Sequence, residues 1–148
     1  MKVSTKGRYG LRALVDLAVN STQNHVSLVS IANRQKISLN YLEQVFASLR
    51  KAKIVKSIKG AQGGYCLAKP ASQIKVSEIL AILEGEFNIV DDDLFDDGEI
   101  DPVRLAVKTL VWDKINENVN KYLVSTTLED LANEYVRLNS ESPDMYYI

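Results

Sequence analysis

The chain has 148 residues, 46% of them hydrophobic, enough for one compact domain and an extra element but not for two large domains. A single cysteine, Cys66, excludes an internal disulfide framework; no apolar run approaches a membrane span, and Met1-Lys2-Val3-Ser4 lacks the apolar core of a signal peptide, so a soluble cytoplasmic protein with no membrane partner is expected. The net charge of -1 hides a split: residues 1–70 carry twelve Lys and Arg against Asp16 and Glu43, a balance of +10, and the remainder carries six against seventeen Asp and Glu, a balance of -11. So polarised a chain points to an N-terminal part that meets a polyanion rather than to scattered surface charge.

Residues 4–20 predict a first helix, with Leu11, Leu14, Val15 and Ala18 on its buried side. Lys2, Lys6, Arg8 and Arg12 crowd its start, where they can neutralise phosphates without reading sequence. His25 follows in a loop; nothing nearby supplies a second ligand, so it reads as solvent-facing and without chemistry. Residues 27–35 predict a second, shorter helix capped by Ser27 and carrying Leu28, Ile31 and Ala32, with a break around Lys36 and Ile37. Residues 38–52, SLNYLEQVFASLRKA, predict a third helix: Leu39, Leu42, Val45, Phe46 and Leu49 gather on one side, and Asn40, Glu43, Gln44, Ala47 and Lys51 on the other. Two short helices joined by a tight turn fit a helix-turn-helix, and the second polar face suits a major groove, where Asn pairs with adenine and Glu accepts from the cytosine amino group.

The run from Ile54 to Ile58 and the run from Tyr65 to Ala68 are strand-prone, and Lys59-Gly60-Ala61-Gln62-Gly63-Gly64 lies between them. Three glycines at a reversal allow positive φ and close backbone approach, so this segment predicts a hairpin with a basic tip, the wing of a winged helix. It fails as a nucleotide loop, because no Gly-Lys-Ser or Gly-Lys-Thr follows. Lys56, Lys59 and the amides of Gly60, Gln62 and Gly63 are the expected grips on the backbone. Tyr65 and Cys66 fall on opposite faces of the returning strand. Cys66 reads as a small apolar residue packed under the wing rather than as a redox-sensing thiol.

Beyond Pro70, residues 76–84 predict a helix that buries Ile79, Leu80, Ile82 and Leu83, with a weak start at Lys75. The stretch 88–101 is acidic and reads as a solvated loop, since its carboxylates miss the calcium-loop spacing. Pro102 suits the first position of a long helix in which Leu105, Val107, Leu110, Val111, Trp112, Ile115, Val119, Tyr122 and Leu123 cover more than half the circumference. One side would cover the N-terminal domain and another would pair with a second copy through Leu105, Trp112, Ile115, Val119 and Tyr122. Thr126-Thr127-Leu128-Glu129 fits a capping box that starts a short helix ending about Arg137. A polar tail broken by Pro143 then leads to Met145-Tyr146-Tyr147-Ile148.

STKGRYGLRAL near the start, ISLNYLEQVFASLRKAKIVKSIKGAQGGYCL in the middle and ILAILEG at residues 79–85 resemble the Rrf-type winged-helix transcription regulators, which include IscR-like and NsrR-like proteins. TTLEDLA and MYYI resemble, more narrowly, the CymR-type repressors of cysteine metabolism. That likeness implies a DNA-binding regulator, not an enzyme, and a protein co-regulator, the cysteine synthase O-acetylserine thiol-lyase; the large apolar and aromatic segment Met145, Tyr146, Tyr147 and Ile148 is the expected place for it to dock. Cluster-binding relatives carry three cysteines in the acidic region; one Cys and one His cannot supply an iron–sulfur centre, so no cofactor or metal is expected.

The expected fold is mainly α with a small β wing: a winged helix-turn-helix domain over 1–85, an acidic loop over 86–101, a long dimerisation helix and a short following helix over 102–138, and a tail over 139–148. The expected function is a homodimeric repressor on a roughly palindromic double-stranded DNA operator, probing bases with Asn40, Glu43 and Gln44 and holding phosphates with Lys6, Ser38, Tyr41, Lys56 and Lys59. Two alternatives are a repressor of another regulon, concerned with redox or stress, and a protein-binding scaffold with no operator of its own. Enzymatic chemistry has no support, because one His leaves no catalytic set to assemble.

Overall fold

Helix α1 spans Thr5–Asn20, opened by Ser4, whose side chain accepts from the Gly7 amide. The computed structural model describes residues 3–86, 88–89, 95–96 and 98–146. Leu14 of α1 is fully buried as expected, but its companions are Ala13 and Leu17, while Leu11, Val15 and Ala18 are only partly buried. The face is turned because Gly10 lets a later helix come close: a Cβ there would lie 2.3 Å from Leu83 Cδ1.

Helix α2 (Leu28–Gln35) is capped by Ser27, and Lys36 closes it in the left-handed conformation with φ 56°. Helix α3 (Leu39–Lys51) follows Ser38, whose hydroxyl accepts from the Tyr41 amide at 3.1 Å. Leu42, Val45, Phe46 and Leu49 are buried on α3, as the 3.6-residue period requires. Strands β1 (Val55–Ile58) and β2 (Gly64–Leu67) pair antiparallel, Lys56 facing Cys66 and Ile58 facing Gly64. At the reversal Gly60 takes φ 125°, and Gly64 supplies the close approach, a Cβ there falling 2.5 Å from the Val26 carbonyl oxygen.

Helix α4 (Val76–Glu84) starts without a side-chain cap at Lys75 and buries Val76, Ile79, Leu80 and Leu83, with Ile82 partly covered. Its last residue reaches back to the start of the chain, where the Glu84 carboxylate accepts from the Ser4 amide at 2.9 Å and the Gly7 amide at 3.0 Å. The acidic stretch is not loop throughout: β3 (Phe95–Asp96) and β4 (Glu99–Ile100) pair antiparallel around Gly98. Asp91, Asp92, Asp93 and Asp97 lie outside the described residues.

Helix α5 (Pro102–Val107) has Asp101 as its cap and passes through a π-helical turn (Lys108–Trp112) into α6 (Asp113–Ser125). Together they form one rod over residues 102–125, roughly 36 Å long. The chain then turns back into the N-terminal core. Val76 N–H donates to Thr126 O at 2.9 Å, Leu128 N–H donates to Ile74 O at 2.8 Å, and the Leu128 side chain is fully buried.

Helix α7 (Leu128–Tyr146) departs from expectation in two ways. The capping box closes on Asp130 rather than Glu129, since the Thr127 amide donates to the Asp130 carboxylate at 2.9 Å and Thr127 Oγ1 accepts from the Asp130 amide at 3.2 Å. The helix also runs through Pro143 to Tyr146 instead of ending about Arg137. Arg137 ties it together beyond that point, bonding Glu134 one turn before and Glu141 one turn after. Among the described residues, no helix is long and apolar enough to cross a membrane.

Candidate nucleic-acid interface

The polar face of α3 stands clear of the other described residues. Asn40, Glu43, Gln44 and Ala47 are exposed, and among the described residues the Glu43 carboxylate has neither a hydrogen bond nor a paired cation. The opposite face is locked into the core by Leu42, Val45, Phe46 and Leu49, so the helix presents a fixed row of side chains.

What holds α3 in that attitude is a polar joint between α1 and α2 that no local pattern in the sequence announces. Asp16 is nearly fully buried, yet its carboxylate accepts from Arg34 Nη2 at 2.7 Å, Arg34 Nε at 2.9 Å and Gln35 Nε2 at 2.9 Å. These bonds satisfy the buried charge and push the Arg34 pKa above its ordinary value, the Asp16 hydrogen bond being the main cause. A second prop stands beside it: Arg12 lies over the Tyr9 ring at 5.1 Å and donates to the Gln35 carbonyl, while Tyr9 meets the edge of Tyr41 at 5.8 Å. Arg12 is therefore a pillar of the helix-turn-helix, and Tyr41 is half-buried with its ring fixed. Lys6 reaches from α1 to the flank of α3, its Nζ 3.4 Å from Ser48 Oγ.

In the wing, Lys56, Lys59, Gly60 and Gln62 are exposed. The Gly63 amide is already committed, donating to Gly60 O at 3.0 Å, whereas the amides of Gly60 and Gln62 carry no such bond. His25 is half-buried, and its Nε2 donates to the Gln62 carbonyl. The next residue, Val26, exchanges two 2.8 Å hydrogen bonds with Tyr65. The loop before α2 thus pins the wing from outside the hairpin, and the expectation that His25 faces solvent without a role is corrected. Tyr65 packs inward on Phe46, ring centres 5.0 Å apart; Cys66, on the other face, is half-buried and borders a surface groove with Ala18, Ser21 and Thr22.

Electrostatics set this half apart. Arg50, Lys51, Lys53, Lys56 and Lys59 have no ion-pair partner among the described residues, and the pairs found before residue 86 are Arg34 with Asp16 and Lys69 with Glu78. On the rod, Leu105, Ile115 and Tyr122 are exposed, Tyr122 to 68%, and Trp112 and Val119 are half-buried. Val103 and Leu110 extend this apolar surface, each more than two-thirds exposed. Met145 and Tyr146 belong to the end of α7, and Tyr147 and Ile148 lie outside the described residues.

The family model described as "Rrf2: Iron-dependent Transcriptional regulator" matches residues 3–134. The chain is 42% identical over 132 residues to the HTH-type transcriptional regulator CymR of Bacillus subtilis, covering 89% of this chain and 90% of that protein. It is 38% identical over 151 residues to the HTH-type transcriptional regulator IscR of Cereibacter sphaeroides, covering 100% of this chain and 97% of the relative. The solved structure of CymR, the global cysteine regulator of B. subtilis, superposes with a TM-score of 0.78 at 41% identity, covering 90% of this chain and 98% of the other. One Cys and one His cannot supply the thiolates of an iron–sulfur centre, and among the described residues no three His, Cys, Asp or Glu side chains come together.

Proposed function

The chain belongs to the Rrf2 family of transcriptional regulators, and from that premise we propose that it is a dimeric, sequence-specific repressor. The observation that carries this reading is the exposed row Asn40, Glu43 and Gln44 on a helix whose other face is immobilised in the core. In the major groove Asn40 and Gln44 suit adenine, and Glu43 accepts from a cytosine amino group; an acid facing a polyanion is otherwise costly. Lys6, Ser38, Tyr41, Lys56 and Lys59 hold phosphates, together with the Gly60 and Gln62 amides, and Gly63 shapes the wing tip that enters the neighbouring minor groove.

In this reading residues 1–85 bind DNA and residues 102–138 pair two copies. Leu105, Trp112, Ile115, Val119 and Tyr122 supply the apolar contact, because an exposed surface of this kind on a rod otherwise stands in water. A two-fold axis then places the two copies of α3 about one duplex turn apart, or a multiple of it, on a palindrome. Selection of duplexes from a random library, followed by binding measurements on the enriched sequence, tests the proposal. Enrichment of a spaced palindrome supports it, and equal retention of scrambled competitors rejects it.

The similarity to CymR of B. subtilis supports a finer proposal, a regulon of cysteine and sulfur metabolism with O-acetylserine thiol-lyase as co-regulator docked on residues 145–148. Deleting those four residues should abolish enzyme binding while leaving DNA binding intact. The comparable identity to the IscR of C. sphaeroides favours a second reading, a different regulon under the same DNA-binding mechanism. Mapping bound sites in the native organism separates the two, because only the first places them upstream of sulfur-assimilation genes.

A further inference from the structure

Among the described residues, the side chains held at positive φ are both lysines, and they bracket the reading helix: Lys36 before it and Lys53, at φ 63°, after it. The turn at Lys53 needs that conformation, since the Ile54 amide reaches back to Leu49 O at 2.9 Å and the Lys53 amide to Arg50 O at 3.0 Å. Glycine or asparagine occupies such a position without the Cβ crowding that lysine suffers. A lysine kept where a smaller residue fits better directs attention to its ammonium group.

That group is exposed, unpaired and in company. Arg50, Lys53 and Lys56, with Ser57 and Lys69, border an open groove of about 550 Å³ between the end of α3 and the outer side of the wing. Lys69 is engaged by Glu78 at 2.8 Å, which among the described residues leaves three cations without an acidic partner and no carboxylate on the border of the groove. Arg50 lies on nearly the same side of α3 as Glu43 but two turns further on, roughly 10 Å along the helix axis, so this groove continues past the end of the base-reading row toward the wing. It is continuous with the wing through Lys56. A single small anion finds no enclosure here, because the cations are strung along an open surface. A chain of phosphates matches that layout.

We infer that this groove binds the sugar–phosphate backbone of DNA lying outside the half-site, so that duplex beyond the sequence being read bends onto the outer side of each wing. The inference rests on the proposed operator-binding mode and adds to it a length dependence. Beyond the operator, contact is electrostatic and indifferent to sequence.

The test uses the full chain and the palindrome enriched by selection, in a trimmed form and in a form extended by about 10 base pairs of scrambled sequence on each side. The wild-type protein should bind the extended duplex more tightly, with a steeper dependence on salt. Lys53→Asn should lose affinity several-fold on the extended duplex alone and flatten its salt slope by about 1, with no loss on the trimmed one. Because asparagine tolerates left-handed backbone, its melting temperature should equal or exceed the wild-type value. The double variant Arg50→Gln, Lys53→Asn should remove most of the length dependence. Equal loss on both duplexes, or a wild-type protein indifferent to duplex length, overturns the inference and leaves operator binding standing. Failure to enrich any duplex removes the operator reading and this inference with it.

Discussion

The two halves of the molecule treat positive charge in opposite ways. Along the C-terminal rod and α7, Arg104 meets Asp101, Lys108 meets Asp113, Lys114 meets Glu117, and Arg137 meets Glu134 and Glu141, which leaves Lys121 as the one cation there without an acidic partner among the described residues. From Arg50 through Lys59, five cations stand without an acidic partner among the described residues. Paired surface charges keep a helix in water and add little to stability. Unpaired ones repel each other, and the chain tolerates them on one face because the anion they answer comes from outside. Apolar surface divides the other way: the N-terminal half buries most of its large side chains in one core, with Val29 and Ile58 as exceptions, while the rod leaves Val103, Leu110 and Tyr122 bare. One half is unfinished in charge, the other in hydrophobic cover, which is the pattern expected when one meets DNA and the other a second copy of itself.

The sharpest way to break this comparison is to put charge on the bare rod. Ile115→Asp should convert the proposed dimer to a monomer in sedimentation while leaving helix content unchanged. Operator affinity should fall by about a hundredfold or more, because the second half-site ceases to be an intramolecular partner. A variant that stays dimeric removes Ile115 from the interface.

Next in size is a change that blurs the halves. Leu128 belongs to the C-terminal helices in sequence but is buried in the N-terminal core. Leu128→Ala should cost about 3 kcal/mol in denaturant unfolding and lower the winged domain and α7 in a single transition. Two separated transitions would mean that the halves fold independently and that Leu128 is only a loose tether. A smaller effect confined to recognition is expected of Glu43→Ala. Discrimination at one cytosine position should relax by about 1–3 kcal/mol with affinity for other sequences preserved. A uniform loss on all sequences would assign Glu43 to fold or attitude instead.

The elements of the interface were readable because their signals are local. The 3.6-residue period sorts α3 into a buried and an open face, and the glycines between two strand-prone runs mark the wing. The features that fix these elements in space are not local. Asp16 meets Arg34 eighteen residues on, and His25 meets Gln62 thirty-seven residues on, so neither residue differs in the sequence from an ordinary surface group. The buried side of α1 was displaced because apolar periodicity takes no account of Gly10, where the helix needs absence of a side chain rather than presence of one. The length of α7 is hidden because Pro143 reads as a breaker, whereas the ladder from Glu134 through Arg137 to Glu141 supports the helix beyond Arg137 and up to the turn that holds the proline.

That ladder supplies the smallest expected effect. Glu134 has its pKa lowered, first by the hydrogen bond from Arg137, and the Arg137 guanidinium has its own raised, first by the bond to Glu134. A carboxylate whose folded pKa is depressed contributes stability that is present above its unfolded pKa and is lost as pH falls through the folded value. The Arg137 contribution is fully present below its unfolded pKa and fades only in strong alkali, so the acid side is where the pair can be seen. Both groups are fully exposed, and solvent and salt screen them. Arg137→Ala should therefore leave the melting temperature near neutral pH almost unchanged and slightly reduce the helical signal of the α7 end. It should also remove the small part of the acid-side decline that Glu134 contributes. A large drop in the melting temperature at neutral pH would show that the end of α7 is held by something stronger than a surface ladder, and the paired charges of the C-terminal half could then no longer be contrasted with the unpaired charges of the N-terminal half as mere solubility.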